Sequence, residues 1–221
     1  MPDTAIFDVD GTLVDSNYQH ALAWFRAFRR YGITLPLWDL HRAIGMGGDR
    51  LVGHVAGDDV ERKCGDRVRD AHTEEFDRLI DEVRPLPQAR EILRDVRDRG
   101  FRLVLATSGE PRHVAHLLSL LDGDDLAHGR VTSDDVTRTK PEADLVDAAL
   151  REVGGRSGVL IGDSPWDCQA AAKRGVPTLA VRTGGFSVDE LAAAGADAVF
   201  ESLPDLRAAL DDTVLARPGD R

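Results

Sequence analysis

Unbroken apolar runs alternate with helical spacing of apolar residues along most of this chain. The run at 101–106 has no polar alternation, which is typical of a strand buried on both faces of a sheet. Comparable runs predict further strands at 5–7, near 131, and at 159–161, 178–181 and 198–200. Helical patterns lie between them, at 88–99, 112–121, 142–153, 167–174, 188–194 and 206–210. This alternation predicts the α/β class, with a doubly wound parallel (Rossmann-like) sheet. The pattern stops at Asp211, and we expect the tail beyond it to fray.

The segment from 16 to 85 differs, because it has helical patterns and no strand pattern. Asp15 and Ser16 are predicted to cap its first helix. Further helical patterns follow at 37–44, 48–56 and 58–83. We therefore predict an all-α cap domain, residues 16–85, inserted into a core made of residues 1–15 and 86–221. Because the insert follows the first strand directly, we expect it to lie over that strand's carboxyl end as a lid.

Composition narrows the possible partners. The 221 residues carry a net charge of −11 and have a pI of about 5.0, which argues against nucleic acid and anionic membranes. We find no basic-then-apolar leader and no apolar run of membrane-spanning length, so we expect a cytoplasmic protein. The two cysteines, Cys64 and Cys168, indicate neither a disulfide framework nor a zinc site. Both a monomer and a homodimer are compatible with this composition.

Candidate chemistry begins with Asp8 and Asp10, in the sequence Asp-Val-Asp-Gly-Thr that follows the first strand. Residues two apart on a strand point to the same side, so both carboxylates should leave it together, into the crevice where α/β sheets bind ligands. Two close carboxylates repel each other, and a divalent cation that prefers oxygen ligands, such as Mg²⁺, compensates them. Taken alone, such a pair is more often part of a simple turn.

Three more candidate positions follow later predicted elements. Thr107 and Ser108 end the strand at 101–106, and a hydroxyl there can hold a phosphate oxygen. Lys140 precedes a helix and can neutralise a phosphoryl group. Asp163 can complete a carboxylate cage for Mg²⁺, and Asp167 is expected to cap the next helix while supporting that cage. Each of these residues alone more often has a plain turn, surface or capping role.

The order and placement of these residues resemble the four motifs of the haloacid dehalogenase superfamily. Those motifs are Asp-x-Asp-x-Thr, a strand-ending Thr or Ser, a Lys, and Gly-Asp-x-x-x-Asp. In this chain they are matched by Asp8, Asp10 and Thr12, then Thr107, then Lys140, and finally Asp163 with Asp167. The resemblance covers essentially the whole chain, including a helical cap between the first and second motifs.

The resemblance implies a role for each motif residue. Asp8 is expected to attack phosphorus and form an aspartyl-phosphate, and Asp10 to act as general acid and then as general base. Mg²⁺ is expected at Asp8, the backbone carbonyl of Asp10, and Asp163, with Asp167 either on the metal or behind it. The phosphate-binding residues are expected to be Thr12, Thr107, Ser108 and Lys140.

Within the superfamily, the residues favour a phosphatase. Dehalogenases lack the second aspartate, and phosphonate hydrolases need a cap lysine, whereas Lys63 lies late in the insert. The β-phosphoglucomutase-like branch is the closest alternative, since His20 and Lys140-Pro141 fit it. However, Gly109-Glu110 stands where mutases carry Lys-Asn, and Gly162-Asp163-Ser164 has the phosphatase form.

We therefore predict a Mg²⁺-dependent phosphatase, similar to phosphoglycolate phosphatases, that acts on a small phosphorylated metabolite. Mutase-like phosphoryl transfer and a non-catalytic binding protein on the same scaffold are the alternatives. In the cap, His20 and Arg50 are predicted to contact the substrate, although a cap arginine, Arg42 included, is more often plain surface. Phosphoglycolate, a sugar phosphate and a nucleoside monophosphate all stay open as substrates.

Overall fold

The computed structural model describes residues 2–216, apart from the side chains of residues 123 and 124. Its strands are β1 (Thr4–Phe7), β2 (Val14–Asp15), β3 (Arg84–Pro85), β4 (Arg102–Ala106), β5 (Gly129–Val131), β6 (Gly158–Gly162), β7 (Thr178–Val181) and β8 (Ala198–Phe200). Its helices are α1 (Asn17–Arg30), α2 (Leu37–Arg42), α3 (Gly48–Ala56), α4 (Asp58–Asp77), α5 (Ala89–Asp98), α6 (Pro111–Ser119), α7 (Gly123–Leu126), α8 (Asp144–Glu152), α9 (Pro165–Arg174), α10 (Val188–Ala193) and α11 (Leu203–Ala208). Single 3₁₀ turns lie at Ile80–Glu82, Ser133–Asp135, Arg182–Gly184 and Leu210–Asp212.

Six of these strands form one parallel sheet, in the order β5-β4-β1-β6-β7-β8. From β1 the chain moves outward through β4 and β5, then returns to β6 and moves outward on the other side through β7 and β8. A sheet that winds in both directions has a crevice at the carboxyl ends of its central strands. The predicted α/β class and doubly wound sheet are confirmed, and this crevice is where Asp8 emerges.

Both faces of the sheet are covered, which explains the unbroken apolar runs. On one face Ala5 and Phe7 of β1 join a core cluster with apolar residues of α5, α6 and α11. On the other face Ile6 packs with apolar residues of α8 and α9. Side chains alternate between the faces along a strand, so a strand buried on both sides shows no polar alternation.

The helices α1 to α4 lie between β2 and β3 and have an apolar cluster of their own, which includes Trp24, Phe28 and Val68. Four buried residues of this segment, Ala23, Phe76, Leu79 and Val83, pack instead into the core cluster of the sheet. The helical insert is therefore anchored to the sheet as well as to itself. The division of the chain at residues 16 and 85 stays a prediction.

Several local predictions were wrong. The segment at 58–83 is not one helix, since α4 ends at Asp77 and a 3₁₀ turn follows. Residues 84–85 are paired with residues 14–15 as a short antiparallel ladder, so the segment 16–85 does contain strand at its end. Ser16 occupies the N-cap position of α1, but its side chain makes no capping hydrogen bond.

The tail was also predicted wrongly. Residues 210–212 form a 3₁₀ turn, and Leu215 is fully buried in the core cluster of the sheet. The few apolar residues after Asp211 are spaced too irregularly to indicate a helix or a strand. A single buried leucine, Leu215, is nevertheless enough to anchor the segment. The part of the predicted tail at 217–221 lies outside the described residues.

We expect Leu215→Ala to lower the free energy of unfolding by about 2–4 kcal/mol, because it removes a side chain that is 0% exposed from a packed core. Leu37→Ala is the matched control, since Leu37 is 40% exposed and should lose far less. Urea denaturation of both variants measures the difference. Equal, small losses in the two variants would mean that the tail does not pack as described.

Candidate active site

The candidate residues meet at the carboxyl ends of three adjacent strands. Asp8 follows β1, Thr107 follows β4 and Asp163 follows β6. Lys140 comes from the loop before α8, and Asp167 lies in the first turn of α9. Parallel strands bring their carboxyl ends to one edge, so residues far apart in sequence converge there.

Asp8, Asp163 and Asp167 form a buried cluster, with one carboxylate oxygen of each within 4.8 Å of the others. Lys140 is 2% exposed and forms ion pairs with Asp8 and with Asp167, the latter at 2.7 Å from Nζ to Oδ1. Lys140 therefore compensates a cluster of three carboxylates, and it is in direct contact with two of them. The sequence predicted this grouping through its motif order.

Burial and mutual repulsion control the charges of this cluster. Burial raises the pKa of Asp8 well above its ordinary value, although Lys140 opposes the shift. Burial and the neighbouring Asp167 raise the pKa of Asp163 to about 7. Burial alone would lower the pKa of Lys140, but the two carboxylates outweigh it and hold the pKa above its ordinary value. Lys140 is therefore a permanent cation, while burial and mutual repulsion disfavour the charged forms of Asp8 and Asp163.

These residues fit a divalent metal ion. Magnesium takes oxygen ligands and is commonly bound by one or two carboxylates. Asp8 and Asp163 offer such oxygens, and a cation bound between them would favour their ionised forms. Both oxygens of Asp167 already have partners: Oδ1 contacts Lys140, and Oδ2 accepts hydrogen bonds from the Ser164 hydroxyl at 2.5 Å and amide at 3.2 Å. Asp167 is thus arranged to hold Lys140 and the loop in place.

The sequence predicted that Asp167 would be the N-cap of α9, and this prediction was wrong. The helix begins at Pro165, its N-cap is Ser164, and Asp167 is the third helical residue of a capping box. A capping box satisfies two otherwise unpaired amides at a helix start. The same carboxylate therefore fixes the start of α9 and faces Lys140.

Thr12 and Asn17 orient the carboxylates of Asp8 and Asp163 through hydrogen bonds. The Thr12 hydroxyl lies 3.2 Å from Asp8 Oδ2 and 3.0 Å from Asp163 Oδ1, and the Asn17 amide donates to Asp163 Oδ2 at 2.9 Å. Gly11 lets the chain turn here, with φ of +76° and no room for a side chain, because a Cβ would lie 2.3 Å from Asp163 Oδ2. Thr12 is fully buried and is not among the residues that line the cavity, and its contact with phosphate stays a prediction. Nothing in the sequence singled out Asn17, which reads as an ordinary first residue of a helix.

The Asp10 carboxylate belongs to a separate network. Its Oδ1 accepts a hydrogen bond from the Ser16 hydroxyl at 2.7 Å and lies 3.1 Å from His20 Nε2, and its Oδ2 accepts from the Thr107 hydroxyl at 3.0 Å. Burial raises the pKa of Asp10, but the contact with His20 and the two hydroxyls outweigh burial and lower the pKa to about 2. Asp10 is therefore an ionised carboxylate in this arrangement.

This network changes the assignment at the end of β4. The Thr107 hydroxyl donates to Asp10 and accepts from the Gly109 amide at 2.9 Å, so it is not free for phosphate as predicted. The Ser108 hydroxyl, in contrast, is buried, lines the cavity and has no hydrogen-bond partner among residues 2–216. Ser108 is thus the residue of this pair with a hydroxyl available to a ligand.

A second histidine, which the sequence analysis missed, supports His20. His20 Nδ1 lies 3.2 Å from His72 Nε2, and His72 also stacks on Trp24 with ring centroids 4.0 Å apart. Burial lowers the pKa of His72 well below its ordinary value, so the ring is neutral. His72 lies in a helical segment of mixed polarity, and that pattern does not indicate that the histidine side chain points inward.

A cavity of about 360 Å³ opens beside Asp8 and Asp10. Core and insert both line it, with His20, Trp24, Met46, Asp49, Arg69, Asp70, His72 and Thr73 from the insert and Thr107, Ser108, Glu110, His113 and Val136 among the residues from the core. The prediction for His20 agrees with this position. Arg50 is not among the lining residues, and its guanidinium lies 3.5 Å from Glu142, so the structure does not bring it to the cavity and its substrate contact stays a prediction.

The fold and this site define an α/β protein that binds its ligand at the carboxyl edge of a doubly wound sheet. The family model for haloacid dehalogenase-like hydrolases matches residues 2–175. A plasmid-encoded phosphoglycolate phosphatase of Cupriavidus necator is 32% identical over 226 residues, which cover 98% of this chain and 96% of that protein. The validoxylamine A 7'-phosphate phosphatase of Streptomyces hygroscopicus subsp. limoneus is 27% identical over 213 residues, covering 94% and 97%.

Solved structures agree with these relatives. The crystal structure of a hydrolase from Pseudomonas syringae is 34% identical and superposes with a TM-score of 0.90, covering 95% of this chain and 98% of that one. This chain belongs to the haloacid dehalogenase-like hydrolase family and is a hydrolase. No helix within residues 2–216 has the length and apolar character needed to cross a bilayer.

We expect Thr12→Val to weaken Mg²⁺ binding by about 10- to 100-fold, the scale for a residue that orients metal ligands. Valine keeps the shape but removes the hydroxyl between Asp8 and Asp163. Thr12→Ser is the matched control, because it keeps the hydroxyl and should bind within about threefold of wild type. Calorimetric titration with Mg²⁺ measures both, and equal affinities for all three proteins would remove Thr12 from this role.

Proposed function

We propose that this protein is a Mg²⁺-dependent phosphatase that hydrolyses a small phosphorylated metabolite through an aspartyl-phosphate on Asp8. One observation carries the proposal: Asp8, compensated by Lys140 and accompanied by Asp163, lies beside a cavity that Asp10 also lines. A nucleophile and a proton-transfer group thus face one space. The two phosphatase-named relatives described above support the reaction class.

In the proposed reaction an oxygen of Asp8 bonds to phosphorus while the ester P–O bond breaks, and the departing alcohol takes up a proton. Water then attacks the acyl phosphate, losing a proton as Asp8 is released. Asp10 is the group placed to move these protons: it enters the first step protonated, gives its proton to the departing alcohol, and takes one back from the attacking water. Splitting one displacement into two steps is the benefit of a covalent intermediate.

The metal would be held by Asp8, Asp163 and the backbone carbonyl of Asp10. When bound, Mg²⁺ offsets the negative charge of the phosphoryl oxygens against the carboxylates. Lys140 supplies a further fixed positive charge, and Asp167 keeps it in place through their contact at 2.7 Å. The Ser108 hydroxyl is a donor for a phosphoryl oxygen.

The helical insert, proposed as residues 16–85, would act as a cap over this site. Its segment near α3 already contacts the loop that carries Lys140, where the Gly47 amide donates to the Thr139 hydroxyl at 3.1 Å. Its two connections to the core pair with each other in β2 and β3, so the hinge is short and shared. Closure of such a lid excludes bulk water from the reacting groups.

Glu110 favours hydrolysis over mutase-like transfer. A mutase must hold a second phosphate of its substrate, and Glu110 places a carboxylate in the cavity at the position where a cationic group would be needed. A non-catalytic binding protein would not need the complete set of Asp8, Asp10, Lys140 and Asp163. Hydrolysis is therefore the function that accounts both for this set and for the carboxylate of Glu110.

We expect Asp8→Asn to lower phosphate release from p-nitrophenyl phosphate by at least about 10³-fold, the scale for removing a covalent nucleophile. The variant should still fold, because burial already disfavours the charged form of the Asp8 carboxyl group and raises its pKa, so removing the charge should cost little stability. Asp98→Asn, at an exposed aspartate of α5, is the control and should keep full turnover. Retention of a tenth of wild-type turnover by Asp8→Asn, or full wild-type activity in EDTA, would overturn the mechanism.

We expect His20→Ala to lower turnover of a well-bound substrate by about 10- to 100-fold, the scale of a lost positioning group. The reason is the loss of the contact that holds Asp10. Arg50→Ala is the control from the same insert and should stay within about threefold of wild type, because its guanidinium lies outside the cavity. Steady-state kinetics on the best ester of a metabolite screen compare the two. Equal losses would mean that the cap acts as a whole and not through His20.

A further inference from the structure

The part of the cavity that would receive the leaving group is acidic and has no uncommitted cation among the described residues. We propose, on the basis of the phosphatase function proposed above, that the natural leaving group is an uncharged or cationic alcohol rich in hydrogen-bond donors, such as a polyol or an amino-polyol. Phosphate esters that carry a second anionic group, phosphoglycolate included, are then poor substrates.

Three acids line the cavity beyond Asp8 and Asp10, and their charges are weakly compensated. Asp70, exposed on α4, has no hydrogen bond and no ion pair within residues 2–216. Asp49 accepts hydrogen bonds from the hydroxyl and the amide of Thr139, which are neutral donors. Glu110 accepts a hydrogen bond from the Thr73 hydroxyl at 3.0 Å and lies 3.6 Å from the Arg112 guanidinium and 3.7 Å from His113 Nδ1, so only this one of the three acids has basic side chains nearby.

Arg69 is the single arginine or lysine among the described lining residues, and it is fully engaged elsewhere. Its guanidinium makes a two-pronged ion pair with Glu61, at 2.7 and 3.0 Å, and a further contact with Asp66 at 2.8 Å. It also donates to the Gly48 carbonyl at 3.0 Å. The hydrogen bonds to Glu61 raise the pKa of Arg69 above its ordinary value despite partial burial. Turning Arg69 to a ligand would break a two-pronged pair, which is the stronger kind of ion pair.

Lys140 cannot serve the leaving group either. It is 2% exposed, it is paired with Asp8 and Asp167, and it is not among the residues that line the cavity. Its charge belongs to the phosphoryl end of the site. A carboxylate or second phosphate on the leaving group would therefore meet three acids without a free counterion.

The remaining features of the cavity describe what does fit. Ionised carboxylates only accept hydrogen bonds, so Asp49, Asp70 and Glu110 call for hydroxyl or ammonium donors. Apolar side chains cover another part of the wall, including Met46, Val114, Leu117 and Val136. The volume of about 360 Å³ is that of about twelve water molecules at about 30 Å³ each. A phosphoryl group with a ring-sized leaving group fits this space better than a two-carbon acid.

The first test compares esters that differ mainly in charge. We expect kcat/KM of the wild-type enzyme for glucosamine 6-phosphate and glucose 6-phosphate to exceed that for 6-phosphogluconate by about tenfold or more, the scale of weakly screened charges in a partly open cavity. The kcat/KM for O-phosphoethanolamine should likewise exceed that for 2-phosphoglycolate. Where an ester is not turned over, its inhibition constant against p-nitrophenyl phosphate gives the comparison. The preference should shrink as KCl rises from about 0.05 to 0.5 M, because salt screens exposed charges.

The second test changes one acid. We expect Asp70→Lys to shift the ratio of kcat/KM for 6-phosphogluconate to that for glucosamine 6-phosphate by about tenfold in favour of the anionic ester, with a smaller shift for Asp70→Asn. Asp59→Asn is the matched control, since Asp59 lies on the same helix, α4, with its side chain 78% exposed and outside the cavity. The control should leave the ratio unchanged.

The outcomes separate this inference from the function on which it rests. Release of phosphate from p-nitrophenyl phosphate, with anionic esters equal to or better than the neutral and cationic ones, would overturn the inference and leave the phosphatase intact. Equal ratios for the Asp70 and Asp59 variants would also overturn it. No phosphate release from any ester would overturn the proposed function and the inference together.

Discussion

The ion pairs of Lys140 are the interaction on which the site depends. A lysine that is 2% exposed bridges Asp8, at the end of β1, and Asp167, in the first turn of α9. Without it, three buried carboxylates would face one another uncompensated, and removing one partner of a buried charge network is strongly destabilising. The sheet edge, the start of α9 and the loop before α8 are therefore held by one cation.

A second link joins the insert to the chemistry. His20 and His72 come from α1 and α4, and the chain of contacts from His72 through His20 ends on Asp10. The low pKa of Asp10, about 2, depends on the contact with His20. A movement of the insert that lengthened this contact would let the pKa of Asp10 rise. The protonation state of Asp10 is therefore linked to the position of the insert.

The sequence analysis succeeded where a residue's role follows from its place on a strand. Apolar runs located the central strands, and the order of Asp8, Lys140 and Asp163 located the carboxylate cluster. It failed where the role depends on the direction of a side chain after the strand ends. Thr107 lines the cavity, but its hydroxyl donates to Asp10, and the Arg50 guanidinium lies against Glu142. Such directions are set by contacts between segments far apart in sequence, which no local pattern records.

Asp8 and Asp10 are two residues apart, yet their surroundings move their pKa values in opposite directions. Burial among carboxylates raises the pKa of Asp8, so ionised Asp8 costs folding stability above the ordinary value of 3.8, and that cost disappears as the pH falls below it. Hydrogen bonds outweigh burial at Asp10 and lower its pKa to about 2, so Asp10 contributes stability above 3.8 that is lost as the pH falls through about 2. A cation bound at Asp8 would favour its ionised form, so metal binding and the release of a proton are linked at this site.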